Sequence, residues 1–85
     1  MIEAGQIRAA RALLDLSQTE LAKSASVSVA TVRRLEAAVA IRGAAESVWK
    51  IEGALERLGI EFISAEEERG PGVRLRRRVK DSRKR

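Results

Sequence analysis

The side chains with chemistry to offer are concentrated between Leu16 and Glu36, in the stretch LSQTELAKSASVSVATVRRLE. Within it Val29, Ala30, Arg33 and Arg34 fall on the outward side of one short helix, which Val32 and Leu35 anchor from behind. What such a face offers is binding rather than bond making. The chain has no His, Cys or Tyr, which removes thiol and imidazole catalysis, disulfides, the common metal-ligand sets and the usual pH switch. Gly70-Pro71-Gly72 lies at a turn and lacks the strand-to-helix setting of a phosphate loop. The run Glu66-Glu67-Glu68 reads as a solvated turn. The residues therefore point away from an enzyme, and no cofactor or metal is expected.

Charge supplies the next constraint. The net charge of +5 is unevenly placed: residues 1–68 hold 8 Lys+Arg against 11 Asp+Glu, whereas residues 69–85 hold 9 Lys+Arg and one acid, Asp81. A basic ending suits a polyanion such as DNA, RNA or an anionic membrane surface. It lacks the interleaved aromatics of a single-strand stacking surface. Residues 78–85 are expected to form a disordered basic tail. A chain of 85 residues allows one domain with a marginal core, so a staple or a partner is expected. No apolar run approaches the roughly 18–20 residues of a membrane span. Residues 1–16 carry Glu3, Arg8, Arg11 and Asp15, unlike the apolar middle of a secretory signal. A cytoplasmic location is expected.

The elements that must position the outward face are legible in outline. Ile7, Ala10, Arg11 and Leu14 recur at helical spacing and predict a helix over 3–14. Ser17 with Glu20 forms a capping-box pattern opening a second helix over about 18–24, with Leu16 and Leu21 placed as a hydrophobic staple. Ser28 opens a third helix after a break at 25–27, and small Ala22 lets the two helices cross closely. A loop over 39–43 precedes a fourth helix over about 44–58, whose buried stripe is Val48, Ile51, Leu55 and Leu58 and whose stop is Gly59. Trp49 falls off that stripe and faces either the chain's ending or a second subunit. Then the period changes: 60–63 is rich in strand formers and 73–76 alternates, predicting two short strands joined by a long polar turn.

This arrangement resembles the Cro/repressor-type (XRE-like) helix-turn-helix family, to which the phage lambda repressor and Cro belong. The matching residues are Leu16-Ser17-Gln18, Glu20-Leu21-Ala22, Val27-Ser28, Thr31-Val32 and Arg34-Leu35-Glu36. The resemblance covers about residues 3–58. The ending, Gly59-Ile60-Glu61-Phe62-Ile63 and Gly70-Pro71-Gly72-Val73-Arg74-Leu75-Arg76, is similar to that of small bacterial regulators of the same family. It implies a mainly α fold: a four-helix Cro/repressor-like DNA-binding bundle at 1–59, a two-stranded C-terminal β segment at 60–77 and the basic tail at 78–85.

The resemblance also implies roles. The third helix would enter the major groove of double-stranded DNA, with Val29, Ala30, Arg33 and Arg34 as base-reading candidates. An Arg can grip guanine O6 and N7 with two hydrogen bonds; Arg34 is the expected main reader, with Arg33 directed to a base or a phosphate. Gln18 matches a phosphate-contacting Gln, and Ser17, Ser28, Thr31 and Arg42 are further phosphate candidates, the two Ser serving equally as helix caps. Arg11 and Glu36 match an internal ion pair of the family. Two positions depart from the pattern. Ser26 stands where the family has a turn glycine, and Ala37-Ala38 replaces a glycine after the Glu.

A single recognition helix reads few base pairs, so a symmetric homodimer on an inverted repeat is expected. Trp49, Ile60, Phe62, Val73 and Leu75 are the candidates for its interface. The function implied is a sequence-specific transcriptional regulator, with repression as the default. The alternative is an antitoxin that binds a toxin partner and regulates its own operon. A nonspecific nucleic-acid binder acting through the tail, and an activator contacting polymerase, stay open.

Overall fold

The computed structural model describes residues 1–37 and 45–76. In chain order these form α1 (Ala4–Leu14), α2 (Gln18–Ala25), α3 (Val29–Ala37), α4 (Ala45–Arg57), β1 (Ile60–Ile63) and β2 (Gly72–Leu75). The sequence-based loop at 39–43 with Arg42, the Ala38 of the Ala37-Ala38 departure, and the basic tail at 78–85 lie outside the described residues.

Apolar residues from every helix meet in one core. Ile7, Leu21, Val32, Val48, Ile51, Leu55 and Ile60 are its fully buried large side chains. Burying each of these side chains is worth about 1.5–3 kcal/mol, which is what holds the short, β-branched α3 in helical form. The stripe expected on α4 is corrected at one end. Ala54 is buried and Leu58 is exposed, because α4 stops at Arg57 and Leu58 already belongs to the turn. Gly59 follows with φ +113°, a left-handed backbone that a side chain would strain.

β1 and β2 pair antiparallel within the chain, with Ile60 opposite Leu75, Glu61 opposite Arg74, Phe62 opposite Val73 and Ile63 opposite Gly72. The second strand therefore begins one residue earlier than its alternation suggests, and the Arg76 backbone N–H still reaches the Gly59 carbonyl at 2.7 Å. The period of two puts Ile60, Phe62, Val73 and Leu75 on one face. On the other, Arg74 donates to the Glu61 carboxylate at 3.0 and 3.1 Å. That hydrogen bond, with the Arg74 charge, holds the Glu61 carboxyl below its ordinary value.

An isolated hairpin is barely stable; this one is fastened to α1 by Gln6. The Gln6 side chain is 6% exposed. Its amide nitrogen donates to the carbonyls of Gly72 at 2.9 Å and Ile63 at 3.3 Å, while its oxygen accepts from the Glu3 backbone N–H at 2.8 Å. One side chain thus closes the start of α1 and ties down the turn end of both strands.

The interface candidates named from the sequence now divide. Ile60 is fully buried in the chain's own core and is removed from the set. Phe62 and Val73 are half-buried against the same core. Trp49 and Leu75 stay exposed, at 74% and 48%.

Candidate nucleic-acid interface

α2 and α3 are joined by a tight turn whose geometry follows from three residues. Ser26 has φ 59° and ψ 44°, the left-handed region. Its N–H donates back to the Lys23 carbonyl at 3.3 Å, and the Val27 N–H to the Ala22 carbonyl at 3.0 Å. These bonds satisfy the last carbonyls of α2 and reverse the chain. Val27 then packs against the core. A serine in this conformation carries a cost of about 1–2 kcal/mol; a glycine, as in the family pattern, would not.

Both helices open on serine caps. Ser17 Oγ accepts from the Glu20 N–H at 3.0 Å, and the Glu20 carboxylate accepts from the Ser17 N–H at 2.8 Å. Those bonds hold the Glu20 carboxyl below its ordinary value. Ser28 Oγ accepts from the Thr31 N–H at 3.0 Å and lies 2.9 Å from the Thr31 hydroxyl. Ser17 and Ser28 thus act as caps, and each hydroxyl sits at the exposed start of its helix.

The outward face of α3 is made of Ala30, Arg33, Arg34 and Ala37, all exposed and spaced i, i+3, i+4, i+7. Ala37 was not among the candidates named from the sequence; the helical spacing alone would have included it. Val29, expected to face outward, is half-buried and packs against the core, because it lies toward the buried flank. Among the described residues, neither Arg33 nor Arg34 forms an ion pair.

Behind that face, α3 is locked by Glu36, which is 4% exposed. Arg11 Nε and Nη2 donate to its two carboxylate oxygens at 2.7 and 2.9 Å, and Arg11 Nη1 donates to the Leu16 carbonyl at 3.0 Å. Gln18 Nε2 donates to the same carboxylate at 3.0 Å. Arg8 Nη1 donates to the Glu36 carbonyl. Burial works to raise the Glu36 carboxyl, but the hydrogen bonds from Arg11 and Gln18 and the charges of Arg11 and Arg8 prevail and hold it below its ordinary value. Arg11 is correspondingly raised, chiefly by its hydrogen bond to Glu36. One carboxylate therefore joins α1, the first residue of α2 and the last turn of α3. The Arg8 and Gln18 connections carry no sequence signature, since both residues are ordinary on a helix surface.

The arrangement is a rigidly backed helix presenting two arginines to solvent, beside the capped and electropositive start of a second helix. Among the described residues no helix is long and apolar enough to cross a membrane. No curated protein matches the chain. A family model described as Helix-turn-helix matches residues 7–61, from the middle of α1 into β1. The chain belongs to the Cro/C1-type, XRE-like helix-turn-helix family of DNA-binding regulators.

Proposed function

We propose that this protein is a cytoplasmic, sequence-specific repressor that binds an inverted repeat in double-stranded DNA as a homodimer. The observation that carries the reading is the exposed face of α3, Ala30, Arg33, Arg34 and Ala37, on a helix immobilised by Glu36. Fixing the helix beforehand lowers the ordering cost of docking it in the major groove.

Arg34 is the main base reader, gripping guanine O6 and N7. Arg33 lies on the flank of α3 nearer Glu36 and Gln18, and so toward the phosphate strand. Ala30, with the exposed part of Val29, makes apolar contact with a thymine methyl. Gln18 uses one amide hydrogen on Glu36 and keeps the other for a phosphate. Ser17, Ser28 and Thr31, with the free N–H groups at the two helix starts, are the remaining phosphate contacts. Half-sites lie about 34 Å apart.

The test is Arg34→Ala, measured against the preferred site and against random duplex. The expected result is a loss of about 1–3 kcal/mol of discrimination with nonspecific binding and melting temperature retained. An unchanged site preference would remove Arg34 as the reader.

A further inference from the structure

We infer that the exposed face of α4 packs against the same face of a second copy of this chain, with the two helices pointing the same way. This deepens the dimer reading above by naming its surface, and it rests on that reading.

At 3.6 residues per turn, the exposed side of α4 has three stripes. Trp49 and Gly53 run along its middle. Glu52 and Glu56 line one flank, and Lys50 and Arg57, together with Glu46, line the other and leave it net basic. Trp49 is 74% exposed, a large aromatic with no place in the chain's own core. Gly53 is the second signal. Glycine is a poor helix former, and a Cβ added here would meet nothing nearer than Arg57 Nη1 at 3.5 Å, an ordinary contact. The chain's own packing therefore does not require glycine at the centre of this helix, and its bare backbone leaves room for close approach from outside. Over Gly53 lies a groove of about 400 Å³ that runs from Trp49 to Ser24–Ser26 at the end of α2.

The charges choose the occupant and its direction. A twofold axis perpendicular to α4 would make the pair antiparallel and set like flank against like, acid on acid and base on base. A twofold axis along α4 makes the pair parallel and sets each acidic flank against the partner's basic one. Glu52 and Glu56 of one copy then face Lys50 and Arg57 of the other, twice over by symmetry. Their existing partners compete weakly: Lys50 pairs with the exposed Glu46 at 3.7 Å, a surface contact worth little, and Arg57 gives one N–H to the Ser24 carbonyl at 3.4 Å. In the parallel pair each residue stays level with its own mate, so the two Trp49 rings pack side by side at the axis, each bordered by the partner's Lys50 and Gly53, where a ring face beside a cation is favourable.

The test uses the full chain, freed of nucleic acid, in sedimentation equilibrium. Trp49→Ala is expected to weaken the dimer about tenfold or more, as loss of a central aromatic anchor does, with the melting temperature of the dilute monomer unchanged. Two charge variants follow, one with Glu52→Lys and Glu56→Lys, the other with Lys50→Glu and Arg57→Glu. Each alone is expected to be monomeric, and their mixture to form a heterodimer. Direction is read separately from Glu46→Cys in this cysteine-free chain. A parallel pair brings the two thiols together and oxidises to a disulfide-linked dimer. An antiparallel pair centred on Gly53 holds them roughly 20 Å apart. A dimer indifferent to Trp49→Ala and to the charge variants, or one that fails to cross-link, overturns the inference and leaves the dimer reading standing. A wild-type chain that is monomeric both free and on operator DNA overturns both.

Discussion

Replacing Glu36 with alanine removes the carboxylate on which three helices converge, and the cost follows from what it leaves behind. Arg11 loses the acceptors of Nε and Nη2 and keeps only the Leu16 carbonyl, and Gln18 Nε2 loses its acceptor too. Breaking a buried ion pair by deleting one partner costs about 3–5 kcal/mol. The Arg11 side chain retains 23% exposure, so water relieves part of that, and about 2–3 kcal/mol is the expected loss. A chain of this length has a total stability of about 4–13 kcal/mol. The corresponding fall in melting temperature is roughly 10–20 °C. Thermal unfolding at pH 7 measures it. Substituting both partners by leucine should recover much of the loss, because no charge is then left unpaired. A shift under about 3 °C for Glu36→Ala, or a double variant as unstable as the single one, would refute the reasoning.

Acid provides a milder form of the same perturbation. The folded Glu36 carboxyl lies below its unfolded value of 4.5, so its contribution is fully present above that value and is lost as pH falls through the folded one. Stability should drop more between pH 6 and pH 3 in the wild type than in Glu36→Gln, as followed by urea unfolding. Ser26→Gly should raise the melting temperature, since relief of a left-handed serine outweighs the greater unfolded freedom of glycine by about 0.5–1 kcal/mol; a fall would show that the turn is unstrained. Gln6→Ala should leave the helical bundle folded while amide exchange accelerates across 60–75, with a local cost of about 1–3 kcal/mol for the orphaned carbonyls. Uniform acceleration throughout the chain would instead make Gln6 a determinant of the whole fold.

The helices were legible because their signals are local. The Ser17-x-x-Glu20 box, the Ser28 cap and the apolar spacing of Ile7, Leu21, Val32 and Ile51 each act within a turn or two, and each is realised. The Arg11 and Glu36 pairing is legible through the family resemblance; Arg11 lies on the apolar stripe of α1, where an unpaired charge is costly, but nothing local names its partner. What the sequence concealed depends on contacts remote along the chain. Gln6 reaches Ile63 and Gly72, and no periodicity marks a glutamine for that task. Ile60 looked like its neighbours in the strand, yet its position directly after Gly59 points it into the core while Leu75 opposite stays half-open. Val29, read as outward with Ala30, Arg33 and Arg34, sits at the edge of that face, and its packing on the core depends on how α3 is rotated against its neighbours, which the spacing within α3 does not fix.

The measurement closest to the central claim is selection of bound fragments from fragmented genomic DNA by the purified protein at near-physiological salt, sequenced before and after. Enrichment of one inverted repeat with half-sites about one helical turn apart, abolished by Arg34→Ala, is the predicted outcome. Recovery of fragments without sequence preference, or the same enrichment with Arg34→Ala as with the wild type, would contradict it.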